Sequence, residues 1–190
     1  MSKIRGFEVC KGLENEDINL PIRKTEKSVG YDIEALEDTV VPSIWKNVFE
    51  NVAKFLKHDT DYKEIKPTLI RTGIKSYFCN DEVLILANRS SHPLKKGLVL
   101  ANSIGVIESD YYENPQNDGE LMYAYYNFFP IDITIKKHDA IGQAYFQKFL
   151  KAEKQHGKKV LYCKDLKNSM LVSNYLTKSA SYAMFLVCSV

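Results

Sequence analysis

Two short polar clusters interrupt apolar runs between Leu84 and Tyr111. The first, Asn88 to Ser91, contains an arginine and two serines, and the second is Asn102 to Gly105. An acid-rich turn, Glu108 to Tyr111, follows the second cluster closely. Guanidinium and hydroxyl groups donate hydrogen bonds to phosphate oxygens, and a carboxylate can accept a proton from water. The stretch therefore predicts an anion-binding site with a general base beside it.

Short strands are expected to carry these clusters, because apolar segments and turns alternate every few residues from residue 67 onward. The predicted strands there are Thr68–Arg71, Tyr77–Cys79, Val83–Leu86, Gly97–Ala101, Gly105–Ile107, Leu121–Asn127, Ile131–Ile135 and Gln143–Phe149. Ile4–Val9 and Val29–Ala35 have strand-like patterns as well. Short strands with frequent turns are typical of a β-sandwich or barrel. The aromatic residues from Tyr123 to Phe129 are more typical of a core or subunit interface than of a base-stacking platform.

One amphipathic helix is predicted before these strands. Ser43 is its expected N-cap, and the helix is expected to end near His58. Its apolar stripe runs from Ile44 to Leu56, with lysine and asparagine side chains opposite. Two interpretations are open: the stripe packs on its own domain, which we favour, or it binds a partner.

Length and composition are those of an ordinary globular chain. The 190 residues are 45% hydrophobic and 26% charged, with a net charge of +2. Residues 153–190 hold six lysines and two acids, which leaves 20 basic and 22 acidic residues before them. We expect a β domain over residues 1–152, with a helical insert at about 43–66, and a C-terminal extension over 153–190. The sequence shows no basic stripe with interleaved aromatic residues, so direct binding to nucleic acid is not expected.

The cysteines and the apolar segments bear on the compartment. The four cysteines form no CxxC pair, so reduced thiols rather than a zinc site are expected. The N-terminal residues lack the apolar run of a signal peptide, and the apolar stretch Tyr182–Val190 is too short to span a bilayer. The expectation is a cytoplasmic protein without membrane contact.

The chain resembles the trimeric all-β dUTP diphosphatases (dUTPases) of bacterial or bacteriophage type. Four of that family's five motifs occur in order, at Gly30–Ile33, Arg89–Ser91, Asn102–Tyr111 and Lys137–Gln143. The resemblance implies a distorted jelly roll with an inserted helix, and a homotrimer whose active sites are built from several subunits. It also implies hydrolysis of dUTP to dUMP and pyrophosphate, with Mg²⁺ on the triphosphate.

The resemblance assigns the phosphates to the second and fourth motifs. Ser90 would contact the oxygen between the α and β phosphates, Arg89 would organise the site across a subunit boundary, and Ser91 and Gln143 would contact phosphate. Alone, an Arg-Ser-Ser sequence is more typical of a surface turn. Asp32 would have a water-mediated role near the metal, although an aspartate after a glycine more often accepts hydrogen bonds in a turn.

The third motif would hold the nucleoside. Uracil would be recognised by an asparagine and by strand backbone, a tyrosine would stack on the deoxyribose and leave no room for a 2′-hydroxyl, and a methionine would close the hairpin. These candidate residues are Asn102, Gly105, Val106, Ile107, Tyr111 and Met122.

Three features depart from the family pattern. The acid that would deprotonate the attacking water is Glu108 where the family has aspartate, and its extra methylene moves the oxygens by roughly 1 Å. The segment Tyr112–Asp118 lengthens the hairpin turn. The glycine-rich fifth motif is not found after residue 152.

Two other functions follow from these departures and from the fold. The chain could keep the fold but catalyse weakly, acting as a regulator that binds nucleotide or a repressor protein through the helix or the basic tail. The related dCTP deaminases share the fold, but their catalytic glutamate lies in a distinct motif that is not found here.

Overall fold

The computed structural model of the chain describes residues 4–151. The C-terminal extension expected over residues 153–190 lies outside this range. Within it, one α-helix, α1 (Trp45–Leu56), and two single-turn helices, His92–Lys96 and Ser109–Tyr111, accompany eleven strands. The strands are β1 (Gly6–Val9), β2 (Tyr31–Glu34), β3 (Thr39–Val41), β4 (Thr68–Arg71), β5 (Ile74–Tyr77), β6 (Glu82–Asn88), β7 (Leu98–Leu100), β8 (Ile104–Ile107), β9 (Met122–Asn127), β10 (Ile133–Ile135) and β11 (Ala140–Lys148).

The strands form antiparallel sheets whose neighbours are distant in sequence. A four-stranded sheet has the order β2-β11-β6-β8, and a three-stranded sheet has the order β4-β9-β7. Two further pairs join β1 to β5 and β3 to β10. The chain crosses between the sheets repeatedly, as in a jelly roll. The predicted all-β fold with an inserted helix is confirmed.

The core lies between the two larger sheets, because each turns apolar side chains inward. Leu84 and Leu86 of β6 face Ile141 of β11 and the rings of Tyr123 and Tyr125 of β9, and all five are buried. The two phenol groups keep hydrogen bonds, since they donate to the carbonyls of β11 at 3.0 and 2.6 Å. The aromatic strand therefore belongs to the core, as predicted, although its last residues are exposed.

Some strand predictions were wrong. Tyr77–Cys79 was predicted as a strand, but β5 runs from Ile74 to Tyr77, where Lys75 and Ser76 are buried without an apolar pattern. This strand is specified by its pairing with β1, which is distant in sequence. The three-residue strand β3 was missed because it is too short to show a period.

The helix is confirmed, but its predicted cap and packing were wrong. The N-cap is Ile44, while the Ser43 hydroxyl donates to the Phe129 carbonyl at 2.6 Å. No residue of α1 is buried, and Phe49 and Phe55 are each 66% exposed. Within residues 4–151, most of the apolar stripe is therefore left uncovered, although Trp45 Nε1 donates to the Phe128 carbonyl at 2.9 Å. No helix in this range is long and apolar enough to cross a membrane.

Candidate active site

Residues of the first, second and fourth motifs meet at one end of the four-stranded sheet. Gln143 lies opposite Asp32 across β11 and β2, and its Nε2 donates to Asp32 Oδ1 at 3.0 Å. Arg89 follows the end of β6, and its Nη1 donates to the Ala140 carbonyl of β11 at 3.3 Å. The name Arg89 cluster is used below for a set of five residues from these elements. They are Asp32, Arg89, Ser90, Ser91 and Gln143.

The carboxylate of this cluster is paired and ionised. Burial raises the pKa of Asp32, but the Lys24 ammonium 2.7 Å away, the Gln143 amide and the Arg89 charge outweigh burial and lower it. Its side chain is only 9% exposed. Among the described residues, no group of three or more histidine, cysteine, aspartate or glutamate side chains is placed to hold a metal.

Ser90 and Ser91 lie on the solvent side of the Arg89 cluster, and the next residue, His92, is buried. Ser90 is exposed and Ser91 half-buried, while His92 is 3% exposed. Burial, reinforced by the charges of Lys96 and Arg89, lowers the pKa of His92 to about 4, so its ring is neutral at pH 7. His92 Nδ1 is buried and has no hydrogen-bond partner among residues 4–151. The sequence offered no signal for this residue.

The third motif forms an edge strand, β8, and the turn that follows it. The strand pairs with β6 on one side, with Ile104 opposite Ala87 and Ile107 opposite Leu84. An edge strand leaves one row of N–H and C=O groups unpaired, which suits recognition of a base by backbone. Gly105 allows a close approach to β6, because a Cβ there would lie 3.0 Å from the Leu86 Cβ. Asn102 is exposed at the start of this hairpin.

Glu108 and Tyr111 lie in one helical turn after β8. Glu108 is extended (φ −87°, ψ 158°), and its carbonyl accepts the Tyr111 N–H at 3.1 Å. The glutamate is exposed, and no hydrogen bond or ion pair from the described part of the chain reaches its carboxylate. A carboxylate in this setting is open to water and substrate. The residues from Asn102 to Tyr111 are called the Glu108 hairpin below.

The return of the hairpin is held by a buried carboxylate that sequence reasoning missed. Met122, half-buried, begins β9 opposite Arg71. Arg71 donates to both oxygens of the buried Glu120 at 3.0–3.1 Å, and Glu120 Oε1 also accepts the Gly73 N–H at 2.9 Å. The only signal in the sequence was an acid after a glycine, which is common in turns.

The Arg89 cluster and Glu108 do not meet within one copy of the chain. Glu108 follows Ile107, which pairs with Leu84 near the start of β6, whereas Arg89 lies just beyond its end. Six residues of strand separate the two levels, which is roughly 20 Å. A base cannot act on a phosphate held at that distance.

Curated proteins similar in sequence are named deoxyuridine 5′-triphosphate nucleotidohydrolases. One from Lactococcus lactis is 43% identical over 152 residues, which is 80% of this chain and 87% of that protein. One from Buchnera aphidicola is 30% identical over 147 residues, 77% of this chain and 79% of that protein. No protein-family model matches the sequence.

Solved structures give the same result. A dUTPase from Streptococcus mutans is similar with a TM-score of 0.64 and 33% identity, covering 78% of this chain and 99% of that one. A dUTPase from phage phi11 of Staphylococcus aureus has a TM-score of 0.60 at 16% identity, over 83% of this chain and 98% of that one. The second likeness concerns the fold alone.

Proposed function

The chain belongs to the dUTPase family, and from this premise we propose that it hydrolyses dUTP to dUMP and pyrophosphate through Glu108. The observation that carries the proposal is the Glu108 hairpin. In it, an edge strand with open backbone groups leads directly into an exposed carboxylate and a tyrosine. These are the parts needed to recognise a nucleoside and to activate water at its α-phosphate.

In this proposal the hairpin binds the deoxyuridine. Asn102 and the backbone of Gly105, Val106 and Ile107 contact uracil, because strand N–H and C=O groups can match its donor and acceptor edge. Tyr111 lies against the deoxyribose, and Met122 closes the far side.

The Arg89 cluster binds the phosphates. Arg89 and Ser90 donate to phosphate oxygens, and Ser91 and Gln143 add further contacts. One amide hydrogen of Gln143 is directed at Asp32, so the other is available to a phosphate. Charge-assisted hydrogen bonds of this kind are stronger than neutral ones.

The chemical step is a displacement at the α-phosphorus. Glu108 accepts a proton from water while the water oxygen forms a bond to the α-phosphorus. The bond from that phosphorus to the α–β bridging oxygen breaks, and pyrophosphate leaves. The donors of Arg89 and Ser90 stabilise the negative charge that develops on this leaving group.

Mg²⁺ is expected with the triphosphate, since it prefers phosphate and water oxygens to an all-protein cage. When bound, it neutralises phosphate charge and helps to orient the phosphates. Asp32, held by Lys24 and Gln143, fits a water-mediated contact to such an ion. A mutant dUTPase of phage phi11, similar in fold at 16% identity, coordinates a structural Mg(II) ion.

A homotrimer with shared sites is part of the proposal. Because Glu108 and Arg89 are roughly 20 Å apart along β6, a complete site combines the hairpin of one copy with the Arg89 cluster of another. We also place the protein in the cytoplasm, in keeping with its nucleotide substrate and the unpaired cysteines Cys10 and Cys79.

A panel of nucleotides tests the reaction. With Mg²⁺ present, pyrophosphate release is expected from dUTP and not from dCTP or dTTP, and Glu108→Ala is expected to abolish it. In water enriched in ¹⁸O, the label is expected in dUMP, because attack is at the α-phosphorus. Turnover no higher than that of Glu108→Ala, or label in pyrophosphate, would contradict the proposal. Deamination of dCTP would indicate the related deaminase activity.

A second function is favoured by the exposed stripe of α1. Phe49 and Phe55 present apolar surface that the described residues do not cover, as a protein-binding regulator would require. In this alternative the chain binds dUTP tightly but catalyses weakly. Calorimetry with dUTP, compared with turnover on the same sample, separates the two: rapid turnover rejects the non-catalytic form of the alternative.

A further inference from the structure

The hydroxyl group of Tyr111 is held by the extra loop of the hairpin. Asn117 Nδ2 donates to Tyr111 Oη at 2.9 Å. The same hydroxyl lies 3.4 Å from the Glu120 carbonyl, to which it donates. The hydroxyl is at the far end of the ring from the backbone, so these contacts fix the direction in which the whole ring points.

Asn117 is itself fixed in one orientation. Its Oδ1 accepts from Asn114 Nδ2 at 2.9 Å and from the Gly119 N–H at 3.2 Å. Asn114 in turn accepts the backbone N–H groups of residues 116 and 117 and donates to the Tyr111 carbonyl at 3.1 Å. With its oxygen occupied by these donors, Asn117 must direct its NH₂ group towards Tyr111.

The loop from Tyr112 to Asp118, called the brace here, is tied to the β domain. Lys75 of β5, whose side chain is 4% exposed, contacts Asp118 Oδ2 at 2.8 Å and Glu113 Oε1 at 3.2 Å. Its ammonium also lies 5.0 Å from the centre of the Tyr112 ring. The loop that carries Asn117 is therefore fixed to the β domain through Lys75.

We propose that Asn117 is a positioning residue for sugar selectivity, which it provides by holding the Tyr111 ring rigid. This inference rests on the proposed function, in which Tyr111 lies against the deoxyribose. A ribonucleotide differs there by a single hydroxyl group, so a ring displaced by about 1 Å would relieve much of the clash. Exclusion of UTP thus requires a ring that does not yield, and the brace supplies that restraint.

The test is the ratio of kcat/KM for dUTP to kcat/KM for UTP. The ratio is expected to fall about tenfold in Asn117→Ala and in Tyr111→Phe, because each removes the same hydrogen bond. In Asn117→Ala the fall comes from faster UTP turnover, while kcat for dUTP stays within about threefold. The double variant is expected to lose no more than either single variant, since the two residues act as one unit. Asn117→Asp is expected to retain the selectivity, because the phenol can donate to the carboxylate.

Gln116→Ala is the matched control, since residue 116 is exposed on the same loop and its backbone makes the contact with Asn114. Its ratio is expected to equal that of the wild type. A loss of activity towards both substrates at an unchanged ratio would overturn the proposal, as would a full loss of selectivity in Asn117→Asp. Should Asn117→Ala fold poorly, Tyr111→Phe decides alone. If the wild type does not hydrolyse dUTP, the proposed function fails instead.

Discussion

At the scale of single residues, the proposed chemistry assigns the general base to one carboxylate in an open turn. Glu108 is exposed beyond the end of β8, and its carboxylate is left free by the described residues around it. Glutamate stands where the resemblance implies aspartate, and its extra methylene moves the carboxylate oxygens by about 1 Å relative to the backbone. The turn and the brace that follows it are the structural context in which this glutamate operates.

Glu108→Gln removes the base and keeps the size of the side chain. We expect kcat for dUTP to fall by about 10²- to 10⁴-fold with little change in KM, because proton transfer is lost and binding is retained. Steady-state pyrophosphate release measures both constants. Asp110→Asn, an exposed acid in the same turn, is the control and is expected to keep its activity. A kcat for Glu108→Gln within tenfold of the wild type would exclude Glu108 as the base.

Lys75→Met tests the anchor of the brace. We expect a loss of roughly 2 kcal/mol in the free energy of unfolding, because charged hydrogen bonds from a buried ammonium disappear. Lys11 contacts the same carboxylates of Glu113 and Asp118, but its side chain is 66% exposed. Lys11→Met is therefore expected to cost markedly less than Lys75→Met, because solvent screens its charge. Equal losses in urea unfolding for the two variants would contradict this account of the anchor.

The same anchor predicts a pH dependence of stability. Lys11 and Lys75 lower the pKa of Glu113. Burial raises the pKa of Asp118, but the Lys11 backbone N–H and the Lys75 ammonium outweigh burial and lower it. A lowered carboxyl pKa contributes stability above the unfolded pKa of about 4, and the contribution is lost as the pH falls further. Urea unfolding at pH 7 and pH 3.5 is therefore expected to show a smaller acid loss in Lys75→Met than in the wild type. An equal loss in both proteins would refute this.

At the scale of the elements, close contact between β11 and β9 places the Arg89 cluster. A Cβ at Gly142 would lie 2.1 Å from the Tyr123 ring, and Gly142 pairs with Asn88 immediately before Arg89. The spacing of Asp32, Gln143 and Arg89 thus depends on a glycine inside a strand.

Gly142→Ala is expected to lower the free energy of unfolding by about 1–3 kcal/mol, because the ring of Tyr123 must move in a packed core. Urea unfolding measures the loss. In a Tyr123→Leu background the same Gly142→Ala change is expected to cost less, because the ring that the new methyl group meets is absent. If Gly142→Ala alone is as stable as the wild type, β9 and β11 pack less tightly than they do in the structure.

The sequence predicted the elements whose residues alternate between buried and exposed positions or form apolar runs, such as β6 and β9. It did not predict β5, since the burial of Lys75 there is specified by acids more than thirty residues away. The exposed stripe of α1 was also missed, because an amphipathic pattern says which face is apolar and not what covers it. The motif residues were identified from their types, but the link from Asn117 to Tyr111 depends on the conformation of the brace.

At the scale of the whole molecule, the important quantity is the distance along β6 between Arg89 and Glu108. Sequence motifs place Arg89 and Glu108 in one constellation, whereas the register of β6 and β8 places them roughly 20 Å apart in one copy. Register is a non-local property, so the sequence could not give this separation. The proposed function therefore requires groups from different copies in one site, and it predicts that mass measurement finds an oligomer in solution.

Mixing two inactive variants tests the central claim most directly. Glu108→Gln lacks the base and Arg89→Ala lacks the phosphate donor, so each alone is expected to be nearly inactive on dUTP. After joint unfolding and refolding in equal amounts, about one quarter of the sites pair an intact Glu108 with an intact Arg89 from another copy. We expect pyrophosphate release near a quarter of the wild-type rate. If the mixture assembles as the wild type does but stays inactive, a site shared between copies, with Glu108 as its base, is contradicted.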